Sequence, residues 1–421
     1  MKRIAVVIIL VGVTMLLAAG LVFQNGQAAQ QNARQGPQHQ ISPMEPDSSV
    51  WGEYFPDQYA SLLLTEENDT ATTYGGSDPY SKLEADPRLL TLFAGYGFSI
   101  EYNEDRGHMW TKEDVEEIDR VNATTHATCY SCKSANNPSL WNEMGMEAYD
   151  AMLFSEMTPN INFDIGCANC HDAESMDLIV TNPAFENALA AQEIDWTTYT
   201  QEEMQTVVCG NCHVEYYFQG PDKLLVFPWA NGRQIAQIIS YYDEEGYADW
   251  IHPDSGAPVL KAQHPEFETF TAGSTHYEAG VSCAECHMPT VTGRGPQYTD
   301  HNIRSPLFDL EAACSSCHKD INFLVTRINL IQFQTYTVLI NTEDALLDAI
   351  AQIEASAATP GADTTLITQA RSLHREAQMY WDFVAAENSM GFHNPEYTLS
   401  NLAHATDIAR QAQITALEAL P

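Results

Sequence analysis

All ten cysteines of this 421-residue chain fall into five Cys-x-x-Cys pairs, and histidine follows four of them. Those four are Cys167/Cys170 with His171, Cys209/Cys212 with His213, Cys283/Cys286 with His287, and Cys314/Cys317 with His318. The first pair, Cys129/Cys132, is followed by Lys133. Two thiols at this spacing can form thioethers to the two vinyl groups of one haem, and the next residue then reaches the iron from the same side. Zinc modules usually combine two such pairs, and five pairs cannot be divided that way. A redox dithiol or a disulfide framework leaves the histidines unexplained. With 14 histidines in 421 residues, finding four by chance directly after these pairs has a probability on the order of 10⁻⁶, so the spacing reads as five covalently bound c-type haems.

A haem iron with histidine on both sides is saturated and can only pass electrons. Beyond the four proximal histidines the chain has His39, His108, His126, His252, His264, His276, His301, His374, His393 and His404. That is enough to cap four haems and still supply an acid. Lys133 sets the first site apart, because an amine must lose its proton to bind iron, which the metal's charge makes feasible.

The elements that must position these groups are of two kinds. From about Trp51 to residue 320, short apolar runs alternate with Gly, Pro, Asn and Asp, and the pairs recur at uneven spacing, which argues against a solenoid of equal repeats. Such a loop-rich domain needs large apolar groups besides its side chains to fill its core, and five macrocycles would serve. From 321 to 421 the pattern changes. Ile321, Leu324, Ile328, Ile331 and Val338 recur at helical spacing until Pro360-Gly361, and Leu366, Ala370, Leu373, Ala377, Trp381 and Val384 mark a second helix. The turn Gly391-Phe392-His393-Asn394-Pro395 leads into a third. The expected fold is mainly α: a loop-rich multihaem domain followed by a long antiparallel helical hairpin, whose spare apolar surface suits a dimer seam.

Lys2 and Arg3 precede an uncharged apolar run from Ile4 to Phe23, with Gly26-Gln27-Ala28 as a candidate cleavage site. Residues 1–28 therefore read as a signal peptide or an uncleaved membrane anchor, placing the folded part outside the cytoplasm. Residues 29–50, rich in Gln, Asn and Pro, read as a flexible tether. With 19 Lys+Arg against 57 Asp+Glu the net charge is -38, a surface that repels nucleic acid. It fits a solvated surface suited to high salt, or attraction of a basic electron donor.

One lysine-bearing pair followed by four histidine-bearing pairs resembles the pentahaem cytochrome c nitrite reductases, which form ammonia from nitrite. The resemblance runs from about residue 90 to 395. Beyond the pairs it is carried by Glu101-Tyr102-Asn103 with Arg106-Gly107-His108, by His213-Val214-Glu215-Tyr216-Tyr217-Phe218, by Lys261-Ala262-Gln263-His264-Pro265-Glu266, by Tyr298-Thr299-Asp300-His301 and by Gly391-Phe392-His393. Octahaem relatives also use a lysine-ligated haem, but ten cysteines cannot attach eight haems.

The resemblance implies that Lys133 is the proximal ligand of a catalytic haem whose far side is open to nitrite. It pairs His301 with His171, His108 with His213, His393 with His287 and His276 with His318. It places the family's active-site arginine, tyrosine and histidine on Arg120, Tyr216 and His264. It also implies one calcium ion beside the catalytic haem, held by the side-chain oxygens of Glu215 and Gln263 and the main-chain carbonyls of Tyr216 and Lys261. These are hard oxygen donors of the kind calcium takes. A membrane-bound or soluble multihaem donor would deliver the electrons, and the protein would be a homodimer. Two other readings stand beside this one. A pure electron conduit would need no open iron and no Arg120/Tyr216/His264 cluster, and a reductase of hydroxylamine or sulfite would use the same pocket.

Overall fold

A computed structural model describes residues 40–421 except Arg294 and Pro296. The export segment (1–28), the first part of the tether and His39 lie outside the described residues. The chain is mainly helical, with four two-stranded antiparallel hairpins among the described residues. No described helix is long and apolar enough to cross a membrane.

Three long helices dominate the C-terminal part: α1 (Ile321–Ala357), α2 (Thr364–Ala385) and α3 (Pro395–Glu418). Each begins on a side-chain cap. The carboxylates of Asp320 and Asp363 accept from the amides of Phe323 and Thr365, and the Asn394 side chain accepts from the amide of Tyr397, satisfying donors that a helix start leaves open. The turn into α3 depends on Gly391. Its φ is +81°, and a Cβ there would collide with Thr335 Oγ1 on α1. The expected hairpin is thus completed into a three-helix bundle, because α3 packs along both earlier helices.

The bundle shares one core with the loop-rich part. Leu346 and Ile350 of α1, Ala377 and Trp381 of α2, and Leu402 and Ala405 of α3 join Leu92, Phe93, Trp250, Val259 and Leu260 in a single apolar cluster. A second cluster around Tyr130, Tyr149, Phe185, Trp229 and Phe267 backs the attachment region. The two parts are also joined by a buried ion pair. Asp382 on α2 accepts from Lys261 Nζ at 2.9 Å and from the Ala262 amide at 2.8 Å, with both charged side chains 1 % exposed. Breaking such a pair leaves an uncompensated buried charge, so it pins the Lys261–His264 segment to the bundle.

The expected tether ends earlier than residue 50. Ile41 and Trp51 are buried against Ala168 and Ala173, and Asp47 caps the short helix Ser48–Gly52. Two apolar side chains that find a shared pocket are enough to order this polar stretch, an effect that composition does not register.

Candidate active site and metal centres

The five cysteine pairs form a connected path. The Cys132 and Cys212 thiols lie close enough to perturb each other, as do those of Cys209 and Cys283. Cys314 lies close enough to Cys286, and Cys170 to Cys212, to perturb their thiols electrostatically. The first, third, fourth and fifth pairs are thus strung in order, with the second branching beside the third. None of the ten cysteines is joined to another by a disulfide.

The ten differ in exposure. Nine are partly buried, whereas Cys317 is exposed. The reason is its place in the chain. It lies in the run Ser316–Asp320, exposed throughout, that links the short helix Leu310–Cys314 to α1. Its sulfur accepts from the hydroxyl of the adjacent Ser316 at 3.7 Å, and it belongs to neither of the two large apolar clusters. Its pairing with a haem rests on its spacing from Cys314 and on the histidine that follows.

Four histidine pairs face one another. Ring centroids are 6.4 Å apart for His171 and His301, 6.2 Å for His108 and His213, 6.1 Å for His287 and His393, and 6.3 Å for His276 and His318. Two metal–imidazole bonds of about 2 Å plus the two ring radii add to roughly 6 Å, so each gap has the width for one iron. The far nitrogens support this. Nδ1 of His171, His287 and His301 faces the carbonyls of Met176, Arg304 and Thr299 at 2.9, 3.0 and 2.8 Å. A proton held there leaves the Nε2 lone pair for a metal. Burial disfavours the charged form and holds His108 down to about 3 and His287 to about 4, keeping both imidazoles neutral, as ligands must be. The residues fit bis-histidine haem.

Lys133 sits just after the short helix Ala127–Tyr130, its amide bonded to the Tyr130 carbonyl and its carbonyl to Thr111 Oγ1. Its ammonium makes no ion pair among the described residues. His264 and a residue the sequence reading passed over, Asp105, lie within electrostatic reach of it, Arg120 lies near Asp105, and Tyr216 lies near Arg120 and the Cys129/Cys132 pair. His264 Nε2 stands 3.9 Å from Asp105 Oδ2. Enclosure in the pocket would raise the Asp105 carboxyl, although the side chain keeps 53 % of its surface exposed, but Lys133, His264, Lys82 and Arg120 outweigh it and hold it at about 2. Burial depresses His264 to about 4, with Lys133 and His213 adding to that and Asp105 and Glu266 opposing it. The guanidinium of Arg120 stacks on Phe98 at 3.9 Å, and its buried Nε has no hydrogen-bond partner. Burial, chiefly, raises the Tyr216 phenol well above its ordinary range, so it stays a donor. The site is one ionised carboxylate among cations and neutral donors, a setting that favours a small anion.

Beside it lies the candidate calcium site. The Glu215 carboxylate is fully buried and accepts from Tyr242 Oη at 2.9 Å and from the Gln263 amide at 2.7 Å. Gln263 reaches back to the Lys261 carbonyl at 3.4 Å. Burial, with Glu268 and Asp249 nearby, raises Glu215 well above the usual carboxylate range. A buried carboxylate gathered with oxygen donors and other acids, and lacking a Lys or Arg ion pair among the described residues, suits a hard cation. Glu215 is anchored in turn, since its amide donates to Glu268 Oε1 at 2.9 Å.

The remaining described histidines are occupied elsewhere. His126 bonds the Asp150 carbonyl, His252 the Thr91 carbonyl, His374 lies between Ser255 and Gln378, and His404 meets the Tyr380 ring edge-on. Asp105 escaped notice because the acidic stretch Glu104-Asp105 reads as solvated surface. Its one signal is its place just before Arg106-Gly107-His108.

Comparison with known proteins places these features in context. A sequence model of the family described as cytochrome c552 matches residues 47–421. The cytochrome c nitrite reductase subunit NrfA of Nitratidesulfovibrio vulgaris is 37% identical over 88% of this chain and 78% of its own length. A cytochrome c-552 of Parabacteroides distasonis is 36% identical over 90% of this chain and 78% of its own. Among solved structures, the catalytic subunit of cytochrome c nitrite reductase from Desulfovibrio desulfuricans, a structure with two calcium sites, superimposes with a TM-score of 0.85 at 35% identity. That match covers 89% of this chain and 87% of the other.

Proposed function

The chain belongs to the cytochrome c552 family, and on that premise we propose that it reduces nitrite to ammonium at the site built around Lys133. The reaction takes up six electrons and eight protons and releases two waters. Bound c-type haem would supply an iron that takes nitrite through nitrogen and receives electrons relayed from the other four. Lys133 would hold that iron from one side. Arg120 and His264 would donate hydrogen bonds to the two nitrite oxygens, and the protonated Tyr216 phenol would stand as a third donor. Protonation makes each oxygen a better leaving group, and His264, neutral and beside an ionised Asp105, can pass a proton and be recharged. The single observation that carries this reading is the convergence of Arg120, Tyr216, His264 and Asp105 on Lys133, which an electron conduit would not need.

The acids around Glu215 would hold calcium, steadying the Glu215–Tyr216 main chain and hence the phenol. Electrons would come from a membrane-bound or soluble multihaem donor outside the cytoplasm. Phe323, Leu330, Phe333 and Tyr336 leave an apolar stripe exposed on α1, which a second copy would cover. Phe333→Glu should therefore convert a dimer to a monomer in sedimentation velocity, and a wild type that is monomeric at micromolar concentration would remove the seam.

The functional test joins composition to turnover. The holoprotein should carry five covalent haems by intact mass, one calcium per chain by elemental analysis, and a high-spin ferric resonance that shifts on adding nitrite. Glu215→Ala/Gln263→Ala should lose the calcium and roughly 10–100-fold in ammonium formation while keeping five haems. Four haems with free Cys129 and Cys132, or no nitrite-sensitive resonance, would favour the conduit.

A further inference from the structure

The facing histidines differ in what lies behind the ring. His171, His287 and His301 lean on main-chain carbonyls, which are neutral. His393 instead directs Nδ1 at the carboxylate of Glu387, as a hydrogen-bond donor to Oε1. His213 has Glu266 at 3.6 Å, beyond hydrogen-bond distance. Glu387 is 3 % exposed and pairs with no Lys or Arg among the described residues.

The contact is built into the turn before α3. Ser389 Oγ donates to Glu387 Oε2 at 2.7 Å and accepts from the His393 amide at 2.9 Å, while the Ser389 amide donates to Glu387 Oε1 at 3.3 Å. The intervening Asn388 is tied down by its amide and its side chain, both donating to Glu266 Oε1 at 3.3 and 2.7 Å. The carboxylate therefore cannot swing away from the imidazole without breaking this ring of bonds. A buried anion with no basic partner is costly unless a positive centre lies close by.

We propose that Glu387 sets a reduction potential: its negative charge, delivered through His393, makes the haem attached at Cys283 and Cys286 harder to reduce than those whose histidines lean on carbonyls. The inference rests on the reading in which His287 and His393 bind that iron. The argument is electrostatic. Ferric iron carries one more positive charge than ferrous, so a nearby anion favours the ferric state, and low local dielectric enlarges the effect. A charged acceptor on Nδ1–H also makes Nε2 a stronger donor. The Cys283 thiol lies near enough to Cys209 to be perturbed by it, and Cys212 of that pair likewise lies near Cys132, next to Lys133. Glu387 would thus keep electrons from resting at this station and favour their release toward the neighbouring pair.

The test is a potentiometric titration of the holoprotein followed by electron paramagnetic resonance, on wild type, Glu387→Gln and His393→Met. Glutamine keeps an oxygen acceptor and removes the charge. At a fixed solution potential, the ferric-to-ferrous ratio of one haem should fall at least tenfold in Glu387→Gln, a midpoint rise of about 59 mV for a one-electron couple. That haem should be the one whose low-spin signal changes in His393→Met. If His393→Met alters no low-spin signal, the ligand reading fails. If it alters one and Glu387→Gln moves no midpoint, the ligand reading stands and the role of Glu387 is overturned. Should Glu387→Gln not mature, Ser389→Ala, which frees the carboxylate from its anchor, should raise the same midpoint by less, and an unchanged midpoint there overturns the inference equally.

Discussion

Replacing Arg120 with glutamine is expected to lower kcat/KM for nitrite by about 10²–10³-fold, the usual cost of losing one well-placed donor to a developing anion, with five haems still attached. The structure gives the reason for so large an effect. Arg120 is held by stacking on Phe98 at 3.9 Å, and its buried Nε has no protein partner, so the guanidinium is aimed without being neutralised. Asp105 remains in the variant, now with one cation fewer to offset it, and a lone carboxylate repels nitrite. Arg120→Lys should recover part of the loss, because it restores the charge but not the planar two-donor fork. The check is steady-state ammonium formation with reduced dye, alongside haem content by pyridine haemochrome. Unchanged kcat/KM in Arg120→Gln would move the arginine role elsewhere in the chain.

Lys133→His is expected to keep the first haem attached, since histidine is the usual residue after such a pair, yet to lower nitrite turnover. An amine donates to a metal only through its lone pair, whereas imidazole also exchanges π density, so a haem iron held by residue 133 would hold its substrate differently in the variant. On the proposal that Lys133 binds the iron directly, the change should cost at least the roughly 10–100-fold that changes one shell further out typically cost. The packing here allows the substitution to be read cleanly. Lys133 is fixed through its main chain, by Tyr130 and Thr111, and its side chain carries no ion pair that the variant would break. Ammonium formation and covalent haem content should be measured on the same preparation. Full turnover with five haems would mean that lysine is dispensable.

The amino-acid sequence by itself determined what is local. Each motif proposed to attach a haem and supply its proximal ligand spans five consecutive residues, so Cys129 to Lys133 and the four Cys-x-x-Cys-His runs could be read directly. How far each thiol is enclosed was not local, and Cys317 stands at the edge because no element packs over the link into α1. The long helices were legible for a similar reason to the pairs: apolar spacing persists through α1 and α2, Pro360-Gly361 breaks the run, and Asp363 and Asn394 stand where caps are needed. Distal partners are another matter. The residues alone left ten histidines as candidates, and only likeness to a family paired them. His301 meets His171 although two further attachment pairs lie between them in the chain, and no local pattern encodes that. Only the tertiary structure placed Asp105 beside His264 and near Lys133, Lys82 and Arg120, closed Lys261 onto Asp382 across the bundle, and turned Glu387 back onto His393. An acidic side chain in a sequence this acidic reads as solvated surface. For Asp382 and Glu387 that meaning changes, because packing removes the water and leaves them facing a cation or a ring N–H, and burial makes an unmatched charge costly and a matched one specific.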